Sequence, residues 1–157
     1  MVHNMKLNKE PFELIKSGSK TIELRLYDDK RRKINKNDCI EFINNSNNEM
    51  ICVLVKDIHI FKNFKELYKN FDKISMGYLE NETADPTDME LYYSNADIEK
   101  YGVVGIEVKL ISRMEYLEYL YKIDRDRRLD NTVKILTGVA EECMEGNEKE
   151  EFLKSIK

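Results

Sequence analysis

The chain has 157 residues, 41% hydrophobic and 36% charged, and its 26 Lys and Arg against 30 Asp and Glu give a formal net charge of −4. That length suits one domain able to bury a core without staples, and the content of Ile, Leu, Val, Tyr and Phe excludes a disordered chain. No run approaches the roughly 20 apolar residues of a membrane helix, and no charged-then-apolar leader opens the chain, so a cytoplasmic protein is expected. The acidic balance excludes a protein that coats nucleic acid by bulk charge.

Val2 to Leu7 reads as a first strand. A short helix follows over Pro11 to Ser17, with Pro11 in the first turn, where a missing donor costs nothing, and Gly18 at the left-handed stop. Thr21 to Leu26 alternates as a strand: Thr21, Glu23 and Arg25 share one face, and Ile22, Leu24 and Leu26 take the other. Lys20 enters from the preceding turn, so a carboxylate and two cations stand side by side. Tyr27 to Asn37 is a polar loop. The stretch from Lys20 to Asn37 is locally basic, carrying Lys20, Arg25, Lys30, Arg31, Arg32, Lys33 and Lys36 against Glu23, Asp28 and Asp29.

Asn37 and Asp38 turn into a strand over Cys39 to Ile43, and the turn formers Asn44 to Asn48 lead to a second over Met50 to Ile60, together a hairpin with a longer loop. Phe61, Phe64, Leu67, Tyr68 and Phe71 recur at helical spacing, which predicts a helix over Asn63 to Phe71. Ser75 to Pro86 is irregular. Two short helices are expected over Asp88 to Tyr93 and Asn95 to Tyr101, with Ser94 or Asn95 capping the second and Gly102 ending it. Val103 to Ile111 is the strongest strand, in which Gly105 marks a bulge or a close backbone approach. Beyond it, Met114, Leu117, Leu120 and Tyr121 form one helical stripe, Arg125 to Asp130 a charged break, and Leu129, Val133, Leu136, Ala140, Cys143 and Met144 another stripe, so the tail is expected to hold two or three helices.

Cys39, Cys52 and Cys143 are odd in number and far apart, which argues for small buried hydrophobes over a disulfide framework. His3 and His59 have no metal-pair spacing with any cysteine. Neither a metal nor a cofactor is expected.

The order of Pro11-Phe12, Ile15, Gly18, Lys20, Glu23, Arg25, Asp38 before a strand, and Tyr101-Gly102-Val103-Val104-Gly105-Ile106 resembles the ASCH domain of the PUA-like superfamily. Gly18, Lys20, Glu23 and Arg25 match the family's Gly-x-Lys-x-x-Glu-x-Arg pattern in full. The resemblance runs from about Met5 to Ile111. It implies an α+β fold: a PUA-like small antiparallel β-barrel with surrounding helices, here over residues 1–111, with a helical C-terminal extension over 112–157. It also implies a cleft lined by the motif. ASCH domains are thought to bind RNA or nucleotide-like ligands, and some bacterial relatives are ribonucleases or amidohydrolases acting on 4-acetylcytidine. The catalytic Lys of those hydrolases matches Lys20, and their catalytic Thr falls where this chain has Glu23.

Three functions follow as expectations. In a binding module for RNA or a nucleoside- or nucleotide-type ligand, Lys20 and Arg25 grip a phosphate or a base edge, Glu23 accepts from an exocyclic amine, and Lys30, Arg31 and Arg32 track a backbone. Tyr27, Tyr78, Tyr92 and Tyr93 are the aromatics available for stacking or for packing. In a small hydrolase, Lys20 and Glu23 are the catalytic pair, Glu23 activating water and Lys20 polarising a carbonyl or taking a proton. In a protein-interaction module, the apolar stripes of the tail form a homodimer.

Overall fold

In the computed structural model, five strands form one sheet in the order β1-β3-β4-β5-β2, where β1 is Val2–Leu7, β2 Ile22–Leu26, β3 Cys39–Asn44, β4 Met50–Phe61 and β5 Val103–Ile111. Residues 1–156 are described, apart from the side chain of Cys143, so the expectation that this cysteine is buried lies outside the described residues. The pair β1 and β3 is parallel and the other three pairs are antiparallel, β3 and β4 forming the expected hairpin. The sheet curls into a half-barrel of the α+β, PUA-like kind. Its edges are β1 and β2, and a side chain reaches between them: the Arg25 Nη2 donates to the Lys6 carbonyl at 3.0 Å.

Helix α1 (Lys9–Ser17) begins two residues before the expected Pro11, because the first turn of a helix has no intrahelical partner for its N–H groups and Pro11 fits at its third position. It buries Phe12 and Ile15 on one face, and Gly18, at φ 82°, ends it by donating its N–H to the Ile15 carbonyl. With Ile40, Phe42, Val53 and Val55 these residues form one core cluster. A second cluster joins Ile22 and Leu24 to Phe64, Leu67, Met76 and Met89.

Helix α2 (Phe64–Tyr68) is shorter than the helix expected to reach Phe71. The Asn70 Nδ2 donates to the Glu66 carbonyl at 2.8 Å, taking the acceptor that the next helical N–H would use, while the Asn70 N–H turns to Leu67. Asp72 then caps α3 (Lys73–Met76) by accepting from the Ser75 N–H at 2.9 Å. The expected helix over Asp88 to Tyr93 is instead a 3-10 helix over Pro86–Leu91, capped by Asp85. Ser94 caps α4 (Asn95–Tyr101).

Gly105 resolves as a close approach. The register shift of this pair lies in β4 between Val55 and Asp57, whereas a Cβ on Gly105 would stand 3.1 Å from Phe71 Cε2 and 3.2 Å from Ile22 Cγ2. Gly105→Ala therefore overpacks the second cluster and should lower unfolding free energy by about 1–3 kcal/mol, read as a shift of the urea midpoint at unchanged m value.

Two compact units compose the chain, Met1–Ser112 and a second beginning at Arg113. The second holds α5 (Arg113–Cys143) and α6 (Gly146–Ser155). The charged break expected over Arg125 to Asp130 does not occur. The helix runs through it because the charges lie at helical spacing: Asp124 meets Arg128 and Asp130 meets Lys134, each pair at 2.7 Å. Cys39 and Cys52 are buried, and burial, aided by Glu41, pushes the Cys52 thiol up. Among the described residues no helix is long and apolar enough to cross a membrane, and no cluster of three His, Cys, Asp or Glu could hold a metal.

Candidate functional site

The charged face of β2 is buried. Lys20 is 6% exposed and Glu23 4%, an arrangement that ionised side chains tolerate only when paired. The backbone on the N-terminal side of β2 is pinned, Lys20 N–H to the Leu14 carbonyl at 3.0 Å and Thr21 N–H to the Ser75 carbonyl at 2.9 Å. From there Lys20 Nζ donates to the Met76 carbonyl at 2.7 Å and lies 3.6 Å from Glu23 Oε2. Arg25 Nε stands 2.8 Å from Glu23 Oε1, an ion pair in which the N–H is angled off the oxygen. Both carboxylate oxygens of Glu23 thus face cations. Burial lowers the Lys20 pKa from its ordinary 10.5, against the pull of Glu23. Burial also works to lower that of Arg25, but Glu23 and Tyr93 outweigh it and the guanidinium stays firmly charged.

These three residues line a cleft of about 470 Å³. The same cleft is lined by Tyr68 at the end of α2, Tyr78 in the turn after α3, Asp88 on the 3-10 segment and Tyr93 just beyond it, where Tyr93 bears on the Arg25 guanidinium. The Tyr78 hydroxyl donates to Asp88 Oδ2 at 2.8 Å, a shorter contact than its 3.4 Å approach to the Asp85 carbonyl, and lies 2.9 Å from the Tyr68 hydroxyl. Burial, then these two partners, hold the Tyr78 pKa well above the usual tyrosine value of 10. Tyr93 stacks on Phe64 with centroids 5.8 Å apart, and Tyr92, 64% exposed, stands at the rim. The cleft is not electropositive: Lys6, Lys20 and Arg25 are set against Glu10, Glu23, Glu82 and Asp88.

Of the residues singled out from sequence, Lys20, Glu23, Arg25, Tyr78, Tyr92 and Tyr93 come together in this cleft. Lys30, Arg31, Arg32 and Tyr27 are not among its lining residues. Arg31 pairs with Asp28 at 3.0 Å, and Arg32 donates from Nε to the Tyr27 carbonyl at 3.0 Å with its guanidinium 5.3 Å from the Tyr27 ring centroid. Lys30 is exposed. From sequence, Tyr68 is placed only on a helix, and neither it nor Asp88 is singled out as a site residue. The signal for the segment that carries Asp88 was Asp85-Pro86-Thr87, an N-cap followed by a proline at the first helical position; Asp85 does accept from the Thr87 N–H, at 2.9 Å.

Among solved structures, the chain is 34% identical to the hypothetical protein PH0355, covering 71% of this chain and 100% of that one with a TM-score of 0.60. It is 32% identical to protein PF0455 from Pyrococcus furiosus, covering 71% and 99% with a TM-score of 0.54. A mutant ASCH protein from Zymomonas mobilis aligns at 15% identity over 68% and 66%, with a TM-score of 0.41. No curated protein matches significantly. The ASCH domain matches residues 5–112, which include the buried Lys20 and Glu23, their partner Arg25 and every strand but the first residues of β1, and the chain belongs to the ASCH domain family.

Proposed function

We propose that the cleft binds a nucleotide of RNA, or a nucleotide-type ligand, with Lys20 and Arg25 as donors, Glu23 holding both cations in place and the tyrosines flanking the base. ASCH domains are generally thought to bind RNA. The observation that carries the reading is a paired charge cluster of Lys20, Glu23 and Arg25 that shares one cleft with four tyrosines. The charge balance of the lining favours a base or nucleoside inside, with phosphates at the rim. The exposed Lys30, with Arg31 and Arg32, contacts a backbone continuing outside the cleft. Three cysteines, odd in number and far apart in the chain, fit a cytoplasmic location.

The test is a binding screen of nucleosides and short single-stranded RNAs by calorimetry. Lys20→Ala and Glu23→Gln, each checked for a native fold, should weaken binding about tenfold or more, since each removes a charged hydrogen-bonding partner. Binding unchanged in both variants would remove the cleft as the site.

The lowered pKa of the buried Lys20 favours a second reading, a small hydrolase acting on a modified nucleoside or RNA, in which Lys20 takes a proton beside Glu23. Its mark is turnover in the same screen that Lys20→Ala abolishes. The exposed Met114, Leu117, Tyr121, Leu129, Ile135 and Val139 of α5 favour a homodimer through the tail; a monomer by sedimentation across the micromolar range excludes it.

A further inference from the structure

Resting on the cleft as the ligand site, we propose that Asp88, oriented by Tyr78, is the acceptor that selects a ligand bearing an exocyclic amine, so that the cleft takes amino-bearing bases in preference to their oxo counterparts.

The inference comes from following the protons through Tyr68, Tyr78 and Asp88, which line the same cleft as Lys20. An ionised carboxylate only accepts, so the single hydroxyl proton of Tyr78 goes to Asp88 Oδ2, at 2.8 Å. The 2.9 Å contact between the two tyrosines must then be made by the Tyr68 proton, donated to Tyr78. Both hydroxyl protons are spent inside this group. What Tyr68, Tyr78 and Asp88 leave for a ligand is acceptors alone: the second oxygen of Asp88, for which no donor is found among the described residues, and the remaining lone pair of Tyr68. Glu23 is unsuited to this task, because Lys20 and Arg25 already face both of its oxygens. Lys20 supplies donors. Lys20 Nζ has three N–H bonds and gives one to the Met76 carbonyl.

A ligand edge that satisfies both Asp88 and Lys20 carries an exocyclic donor beside a ring acceptor. Cytosine and adenine carry that order; uracil and hypoxanthine carry the reverse, an exocyclic oxygen beside a ring N–H, and with the exocyclic atom at Asp88 they meet it acceptor to acceptor. Asp88 is half-buried, and an acceptor that a ligand covers without supplying a donor rejects that ligand far more strongly than a shape mismatch of the same size.

The test compares cytidine with uridine, and adenosine with inosine, by calorimetry on the full chain, in the unmodified protein, Asp88→Asn and Lys20→Ala. The unmodified protein should prefer the amino member of each pair by about tenfold or more, as for a hydrogen bond to a charged group. Asp88→Asn, which keeps the volume and can turn a donor toward the ligand, should reduce that preference below about threefold or reverse it, with total affinity for the better ligand still lost in Lys20→Ala. Equal binding of both members, or a preference that survives in Asp88→Asn, overturns the role of Asp88 while binding lost in Lys20→Ala leaves the cleft standing. No binding of any nucleoside overturns both. Should Asp88→Asn fail to fold, Tyr78→Phe replaces it: a collapsed preference supports the assignment and an unchanged one overturns it.

Discussion

Glu23→Gln should lower unfolding free energy by about 3–5 kcal/mol at neutral pH, the loss typical when one partner is removed from a buried ion pair. The carboxylate holds Lys20, 6% exposed, and Arg25, whose side chain is 18% exposed. Without it two cations stay out of water, one of them fixed against the Met76 carbonyl. Adding Lys20→Met, which keeps much of the volume and removes one charge, should restore a large part of the loss. A cost under about 1 kcal/mol in the urea transition would mean that the charges are solvated in the folded protein. The pH dependence has a definite sign. Because the folded pKa of Lys20 lies below its unfolded value of 10.5, the penalty of burying the ammonium is present in full below the folded pKa. Between the two values the unfolded chain binds more protons, so this group makes stability rise with pH over that window. The difference between the unmodified protein and Lys20→Met should shrink there, and Glu23→Gln should extend the window downward, since Glu23 raises the Lys20 pKa.

That cluster was legible before any fold was known, because Lys20, Glu23 and Arg25 belong to one short motif, Lys20 just ahead of β2 and the other two on it, and strand alternation puts Glu23 and Arg25 on the same face. The regular elements were legible for the same reason. β1, α4 and β5 have the bounds that periodicity and capping assign, since Ser94, Gly102 and the Val103–Ile111 run act locally. The rest of the lining was not legible. Tyr68, Tyr78 and Asp88 are brought together by side-chain caps at Asn63, Asp72 and Asp85, which break the stretch from 62 to 94 into pieces too short to show a period. Their mutual hydrogen bonds are tertiary and leave no mark on spacing. In α5 the error ran the other way: a dense charge run looks like a break, but Asp124 with Arg128 and Asp130 with Lys134 are neighbours on a helix and support it.

This part of the lining reaches the motif through Gly77, and its replacement separates backbone strain from site geometry. Gly77→Ala should cost about 1–2 kcal/mol of stability and, independently, weaken nucleoside binding about tenfold. Gly77 ends α3 at φ 104°, where a side chain is strained by about that energy. A Cβ there would also stand 3.0 Å from Lys20 Cδ and 3.4 Å from Nζ, so the lysine stem must shift. Lys20 then leaves the Met76 carbonyl, now 2.7 Å away, or the Glu23 carboxylate, and a displacement of this kind is costly where donors must meet a ligand in register. Gly18 supplies the control. It too has positive φ, 82°, at the end of a helix, but a Cβ there meets nothing within 4 Å. Gly18→Ala should therefore match the stability loss while leaving both nucleoside affinity and the Lys20 titration, followed by NMR of its side chain, unchanged. Equal binding losses in the two variants would show that the contact between Gly77 and Lys20 has no part in the site. A loss confined to Gly77→Ala, with a shifted Lys20 titration, would show that the turn after α3 is built without a Cβ to seat the buried ammonium.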